Sequence, residues 1–473
     1  VEFFSHYDAD KTRFVEKGLV VFAALVLYFW SAPSAFADVS LPKIFGNNMV
    51  LQSNQKIPVW GTAFPGEKVT IQLNKQTVST VASRDGKFSV RLEPESSGGP
   101  YSLKLKGRNS LEFTNVMIGE VWLCCGQSNL AMEVKFTAES DDLIANIGRN
   151  VRIYQAQGSG SDLSKTSYTN SWDTASSKNV LDFSAVALGT GSSLAKKLAV
   201  PIGVICCSRS GTSIDEWSPT EVAGSPGQNQ SSKHKRIFDE LVSPLIPFAI
   251  KGMVWYQGEA DVGMGTTYGK KFFNLIEGYR DLWSQEEDDF PFFFVQIPGC
   301  GLYTQTVGRS ALPIFWDAQR TATDVRNVYL VPAFDLGDKN DLHPSSKNKL
   351  INRLSNALLQ YAYHQPLNCE IPVPEKLSLN ENKISIKFKA SHGHFSIKGD
   401  GGFSVAASGG KFSRAQVEVL PDGCTLQVWN DGIERPTRLS YARSNFPTGI
   451  ILNGHGLPVS PFYHAFVGES NYR

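Results

Sequence analysis

The feature that most constrains this chain is a β-prone apolar run that stops on a glycine and gives way at once to polar residues. Val121-Trp122-Leu123-Cys124-Cys125 is followed by Gly126-Gln127-Ser128-Asn129, and then by Leu130-Ala131-Met132-Glu133, which suits the opening of a helix. A buried strand ending in a tight turn fixes a side chain in space while exposing it. The helix start that follows aims main-chain N–H groups at negative charge developing nearby. Ser128 is therefore the candidate nucleophile, and it needs a base, an acid partner and an oxyanion site from elsewhere in the chain.

The surrounding texture says what kind of scaffold holds this turn. Over 38–115, short alternating strands are expected at 57–61, 69–73, 76–81, 88–92 and 101–105. They are broken at Pro65-Gly66, Asp85-Gly86 and Gly98-Gly99-Pro100, the pattern of a small β-sandwich. Over 116–365, apolar runs at 183–188, 202–206, 251–256, 290–297 and 328–332 alternate with helical segments at 192–198, 269–283 and 346–361. That alternation predicts an α/β fold, a three-layer α/β/α domain with a mostly parallel sheet. The site of such a sheet lies beyond the carboxyl ends of its strands. Over 366–473, alternating strands return at 384–388, 415–420 and 425–429, which makes a second β region. A chain of 473 residues exceeds what one core organises, in keeping with this division.

Charge and the amino-terminal segment narrow the partners. A net charge of +1 provides no field to draw in nucleic acid or an anionic membrane, and a neutral or weakly charged small substrate suits it better. Residues 1–37 combine a basic lead, an apolar run at 18–30 and the cleavage-type triplet Ala35-Phe36-Ala37. They are expected to be a secretory signal peptide cut after Ala37, its run too short to span a bilayer. The expectation is a secreted or lumenal protein, extracellular, lysosomal or vacuolar, with no stable membrane span after cleavage. Asn229-Gln230-Ser231 is a glycosylation sequon, which fits that compartment. Seven cysteines permit disulfides and leave at least one thiol unpaired. Cys124, Cys125, Cys206 and Cys207 lie in apolar runs, where cysteine acts as a small buried hydrophobe. No His/Cys spacing suggests a metal or cofactor; His392 and His394 alternate on a strand-like segment but lack a third ligand.

A serine hydroxyl is a weak nucleophile until a base takes its proton. Of eight histidines, His343 has the right setting, just past a predicted strand and beside Asp335, Asp338 and Asp341. A carboxylate on the second ring nitrogen would fix the tautomer and stabilise the imidazolium. Asp341 is the nearest acid, with Asp338 and Asp335 as alternatives. Donors for the tetrahedral oxyanion are offered by two strand ends. After 202–206, the main-chain N–H of Ser210 or Gly211 would approach a ligand; after 251–256, the Gln257 amide would donate directly, while Glu259 holds neighbouring loops.

Taken together, these blocks resemble the sialate O-acetylesterase family of the SGNH hydrolases. The resemblance rests on Gly126-Gln127-Ser128-Asn129, on Trp255-Tyr256-Gln257-Gly258-Glu259 and on Asp341-Leu342-His343-Pro344 followed by Lys347 and Arg353. Outside the hydrolase part it extends to Asn48-Met49-Val50-Leu51-Gln52, Pro58-Val59-Trp60-Gly61 and Gly456-Leu457-Pro458-Val459-Ser460-Pro461. The chain departs from the family at Leu130, at Arg209-Ser210 before Gly211 and at Ala260-Asp261. The resemblance implies an SGNH-hydrolase domain flanked by β-sandwich-like regions, acting as a cofactor-independent serine esterase on O-acetyl groups of sugars. It makes Ser128, His343 and Asp341 the catalytic residues. Ser128, Gly211 and Gln257 become the oxyanion donors, with Gln127, Asn129 and Glu259 in support. The expected substrate is an O-acetylated sialic acid. The alternatives are an acetylxylan or other polysaccharide acetylesterase, or a catalytically dead carbohydrate-binding protein.

Overall fold

In the amino-terminal region, apolar side chains at every second position turn one face inward at 68–73 and 87–92. The strands are β1 (Val50–Gln52), β2 (Ile57–Thr62), β3 (Lys68–Leu73), β4 (Gln76–Val81), β5 (Lys87–Leu92) and β6 (Gly98–Lys106). β3 pairs antiparallel with β4 and β6, and β2 pairs with β5 as a separate ribbon. The computed structural model describes residues 38–158, 170–219, 236–284, 290–308, 310–389 and 392–466. The leader at 1–37 and the sequon at Asn229 lie outside the described residues.

The next strand, β7 (Ser110–Gly126), is 17 residues long and belongs to two environments. Its first six residues alternate between exposed and half-buried; from Val116 to Gly126 every residue is buried. Alternation marks a sheet with one face in water, and continuous burial marks a sheet covered on both faces. The junction expected at 115/116 therefore falls inside one unbroken strand. Its first part pairs with β6 and β1, and its last part lies parallel between two strands of the central sheet.

That sheet adds β8 (Val151–Gln155), β9 (Trp172–Thr174), β10 (Ile202–Ser208), β11 (Gly252–Tyr256), β12 (Phe292–Gln296) and β13 (Val328–Pro332) in the order β13-β12-β11-β7-β10-β8-β9. All neighbours are parallel except β9, which runs antiparallel to β8. The main helices are α1 (Ser128–Ala131), α2 (Ala185–Leu198), α3 (Ile214–Trp217), α4 (Thr267–Trp283), α5 (Ala311–Arg320) and α6 (Asn348–Tyr363). Three successive residues of β12 show how they divide. Phe292 and Phe294 meet Phe272 of α4, whereas Phe293 meets Tyr329 and Trp122, which in turn meet Tyr361 and Tyr363 of α6. Successive strand residues point to opposite faces, so α4 and α6 cover opposite sides and the domain has three layers.

One expectation needs correction, and one strand is unforeseen. The apolar run at 183–188 is not a strand: Ser184 Oγ accepts from the Ala187 N–H at 3.1 Å and caps α2, so the run opens a helix. A short apolar run does not by itself distinguish the two. Conversely, β8 escapes the sequence pattern, because Arg152 interrupts its apolar run although the side chain is buried.

After α6 the chain forms β14 (Val373–Asn380), β15 (Lys383–Lys389), β16 (Ser396–Lys398), β17 (Phe403–Ala406), β18 (Ser413–Arg414), β19 (Gln416–Val419), β20 (Thr425–Trp429), β21 (Arg438–Tyr441), β22 (Ile450–Leu452) and β23 (Phe462–Ala465). These make two antiparallel four-stranded sheets and one two-stranded ribbon. Asn445 fastens this region to the α/β layer: its Oδ1 accepts from the Leu312 N–H at 2.9 Å and its carbonyl from the Cys300 N–H at 2.7 Å. All seven cysteines are free thiols. Cys206 lies beside Cys124 and Cys207 beside Cys125, all four buried as expected of small hydrophobes. Among the described residues, no helix is long and apolar enough to cross a membrane.

Candidate active site

The turn that carries Ser128 exists because Gly126 has no side chain. A Cβ there would stand 2.1 Å from the Tyr256 carbonyl, so any other residue would push β11 away just where β7 ends. Gln127 continues extended and donates its N–H to Tyr256 O at 3.1 Å. Its own carbonyl accepts from Leu130 and Ala131, closing one helical turn with Ser128 in the first position. A first-turn N–H has no partner within its helix, and the Ser128 N–H meets no acceptor among the described residues. Leu130 anchors the turn in the core, and Ser184 Oγ donates to its carbonyl at 2.6 Å.

From the far side of the chain, His343 Nε2 lies 2.8 Å from Ser128 Oγ. For the serine hydroxyl to donate, Nε2 must be the unprotonated nitrogen, which places the ring proton on Nδ1. The loop bearing His343 is shaped by its acids. Asp338 Oδ1 accepts the N–H groups of Asn340 and Asp341 at 2.7 and 3.0 Å, and Asp341 Oδ1 accepts that of His343 at 2.8 Å. Asp341 thus sits beside the histidine but holds its main chain; no acceptor meets Nδ1 among the described residues. Asp335 is drawn away into a buried two-pronged ion pair with Arg353, at 2.6 and 2.7 Å.

Beneath Ser128 the strand end of β11 is closed. Gln257 has no exposed surface; its Nε2 donates to Thr212 O at 3.0 Å and Asp261 Oδ2 at 2.5 Å, and its Oε1 accepts from Tyr268 at 3.0 Å. An amide has two N–H donors, and both are occupied. The expectation that Gln257 donates to an oxyanion is therefore corrected: the residue braces β11 against the loop after β10. Asp261 Oδ2 also accepts from the Ile214 N–H at 2.8 Å. Burial raises Asp261 to about 6 and outweighs those hydrogen bonds.

Asn129 is equally committed. Its Nδ2 donates to Glu259 Oε1 at 2.6 Å and to Leu342 O at 3.0 Å, while its Oδ1 accepts from Lys347 Nζ at 2.8 Å. Glu259 and Lys347 are both buried. Burial pushes Glu259 up to about 7 against the pull of Asn129 and Lys347, and pushes Lys347 down to about 8. Gln127 supports the same floor through Oε1, which accepts the Ala260 N–H at 3.4 Å. The family resemblance includes Lys347 after the Asp-Leu-His-Pro block but gives it no role, since nothing local shows that the side chain is buried.

The strand end of β10 is open. Ser208 pairs with Gly126, and the Arg209 N–H donates to Gly126 O at 3.0 Å, so the following residues run beside the Ser128 turn. Ser210 and Gly211 are exposed, and their N–H groups meet no acceptor among the described residues. Gly211 has φ +72°, a conformation that favours glycine. Arg209, 30% exposed, pairs with the buried Glu240 at 3.0 Å. His392 is not in a strand but at φ +46°, with Nε2 2.6 Å from Glu370 Oε2. Among the described residues, no group of His, Cys, Asp or Glu is placed to hold a metal.

A serine and a histidine in contact at the carboxyl edge of a parallel three-layer sheet define a hydrolase-type site, and comparison with known proteins narrows the class. The family of carbohydrate esterases described as sialic acid-specific acetylesterases matches residues 118–360, and this chain belongs to it. Among its relatives, the human sialate O-acetylesterase is 30% identical over 422 residues, covering 78% of this chain and 80% of that protein. The mouse sialate O-acetylesterase is 27% identical over 440 residues, covering 77% and 81%. A carbohydrate acetylesterase from Xanthomonas citri has the same fold, with a TM-score of 0.81, 24% identity and coverage of 90% of this chain and 99% of that one.

Proposed function

We propose that this carbohydrate esterase removes O-acetyl groups by serine acyl transfer, with O-acetylated sialic acids as its substrates. The observation that carries the reading is the 2.8 Å contact of His343 Nε2 with Ser128 Oγ. As Ser128 Oγ attacks the acetyl carbonyl, His343 takes its proton, a step worth about 10²–10⁴-fold. The negative charge forming on the carbonyl oxygen is met by the N–H groups of Ser128, after β7, and Gly211, after β10, both without an acceptor among the described residues. His343 then passes the proton to the departing sugar oxygen, and water releases acetate from the acetyl-enzyme by the same steps in reverse. Asp341 contributes by fixing the main chain at His343, and Gln127, Asn129 and Glu259 hold the floor beneath.

The sialic acid assignment draws on the names of the relatives, since function lives in a pocket rather than in a fold. The leader-like segment at 1–37 supports a secreted or lumenal location, which suits a glycan substrate. The test is acetate release from an aryl acetate, a panel of O-acetylated sialic acids and an acetylated xylan, each with the parent and with Ser128→Ala. The expected result is turnover of the sialic acid esters, lost in Ser128→Ala by at least about 10³-fold. Turnover of the xylan alone would replace the substrate, and equal rates in both proteins would remove the serine mechanism.

A further inference from the structure

Asn129 stands next to the nucleophile, and its three partners come from three other parts of the chain: the turn after β11, the loop before His343 and the entry to α6. An amide can be turned end for end at almost no cost unless its neighbours forbid it. Here they do. A lysine ammonium can only donate, and a main-chain carbonyl or an ionised carboxylate can only accept. With Lys347 on one side and Leu342 O and Glu259 on the other, only one orientation satisfies all three. The amide Nδ2 then faces Leu342 O, the carbonyl immediately before His343. The helix turn carrying Ser128 and the loop carrying His343 are thereby joined by one hydrogen bond of 3.0 Å, beside the 2.8 Å contact it serves.

We propose that Lys347 is a positioning residue for the reaction: its buried ammonium locks the Asn129 amide and so sets the approach of His343 to Ser128. The inference rests on the acyl-transfer reading above. Lys347 touches no reacting atom, and acts through Asn129. Its main chain reinforces the role, because Lys347 N–H donates to Glu139 Oε2 at 3.0 Å and Ser346 Oγ donates to Glu139 Oε1, which pins the entry to α6. Without the ammonium, Asn129 Oδ1 is left without its donor in a buried place, and the amide is anchored only through Nδ2. Tilting of the amide would then loosen its bond to Leu342 O, and with it the loop and the histidine.

The test compares Lys347→Met, Asn129→Asp and Lys347→Met with Glu259→Gln, all assayed on an aryl acetate beside the parent and Ser128→Ala. Loss of activity in Ser128→Ala establishes the underlying reading on its own; equal activity there would end it before Lys347 is considered. Lys347→Met is expected to lower kcat by about 10–100-fold with KM within about threefold, as a small misplacement of reacting groups does. Asn129→Asp keeps an acceptor for Lys347 but cannot donate to Leu342 O, and is expected to reproduce the kcat loss. The double variant removes the buried carboxyl group that Lys347→Met leaves without its cation, so it regains thermal stability at pH values where that group would ionise. Its kcat is expected to stay low, because Asn129 Oδ1 still lacks the ammonium that anchors it. Recovery of kcat along with stability would show that Lys347 only balances charge and would overturn the proposal. So would an unchanged kcat in Asn129→Asp.

Discussion

The strand ends of β10 and β11 flank the nucleophile turn on either side and look alike in sequence, each an apolar run breaking into small and polar residues. Folded, they are opposites. At the β11 end, Gln257, Glu259 and Asp261 are buried and bound to one another's neighbours, and every Gln257 donor is occupied. At the β10 end, Ser210 and Gly211 are exposed with main-chain N–H groups that meet nothing among the described residues. A group available to a reaction is one whose donors are not already answered, and residue type alone does not reveal that. The β11 end is a brace and the β10 end is a working edge.

Substitutions at the two ends should therefore fail in different ways. Gln257→Ala leaves Thr212 O without a donor and Asp261 Oδ2 with only the Ile214 N–H, both in a buried place, and is expected to lower stability by roughly 2–4 kcal/mol. Thermal or denaturant unfolding measures that loss. Gly211→Ala meets no atoms within 4 Å but must leave or strain a φ of +72°. It is expected to lower kcat by about 10–100-fold through displacement of the amide, at about 1 kcal/mol of stability. The contrast breaks if Gly211→Ala changes only the melting temperature while Gln257→Ala changes only kcat.

The closed end also carries a pH signature. Glu259 is raised from 4.5 to about 7 and Asp261 from 3.8 to about 6, both by burial. The folded protein therefore holds more protons than the unfolded chain between about pH 4 and pH 7. Stability contributed by these groups is present at the acid end of that window and lost as pH rises through it. Replacing Glu259 by Gln is expected to flatten the decline by on the order of 1–3 kcal/mol, read from melting temperature against pH. Lys347, lowered to about 8, titrates above this window and with the opposite sign. A decline unchanged in the variant would mean that Glu259 is not the buried carboxyl responsible. The smallest effect is expected for Asp341→Asn, because an amide oxygen can replace Oδ1 as acceptor of the His343 N–H. A kcat within about threefold of the parent is expected; a fall near 10⁴, as for a buried triad acid, would mean that Asp341 bonds the imidazole itself during turnover.

Much of this is legible in the chain. β7 and its glycine and the parallel strands before each polar block follow from patterns that local physics imposes, and the family resemblance joins Ser128 to His343 across 215 positions. What stays hidden is tertiary. The apolar run at 183–188 becomes a helix because Ser184 caps it, and β8 is masked by a buried Arg152. Gln257 reads as a donor to substrate because nothing local says that Thr212 and Asp261 will claim its amide. The part played by Lys347 is concealed because its partner Asn129 lies 218 positions away.

Reaction of the purified protein with a serine-directed organophosphate, followed by peptide mass spectrometry and residual aryl acetate hydrolysis, tests the central claim most directly. The expected result is one adduct, on Ser128, formed in step with loss of activity and absent in His343→Ala. Labelling of another residue, or full activity in protein modified at Ser128, would contradict it.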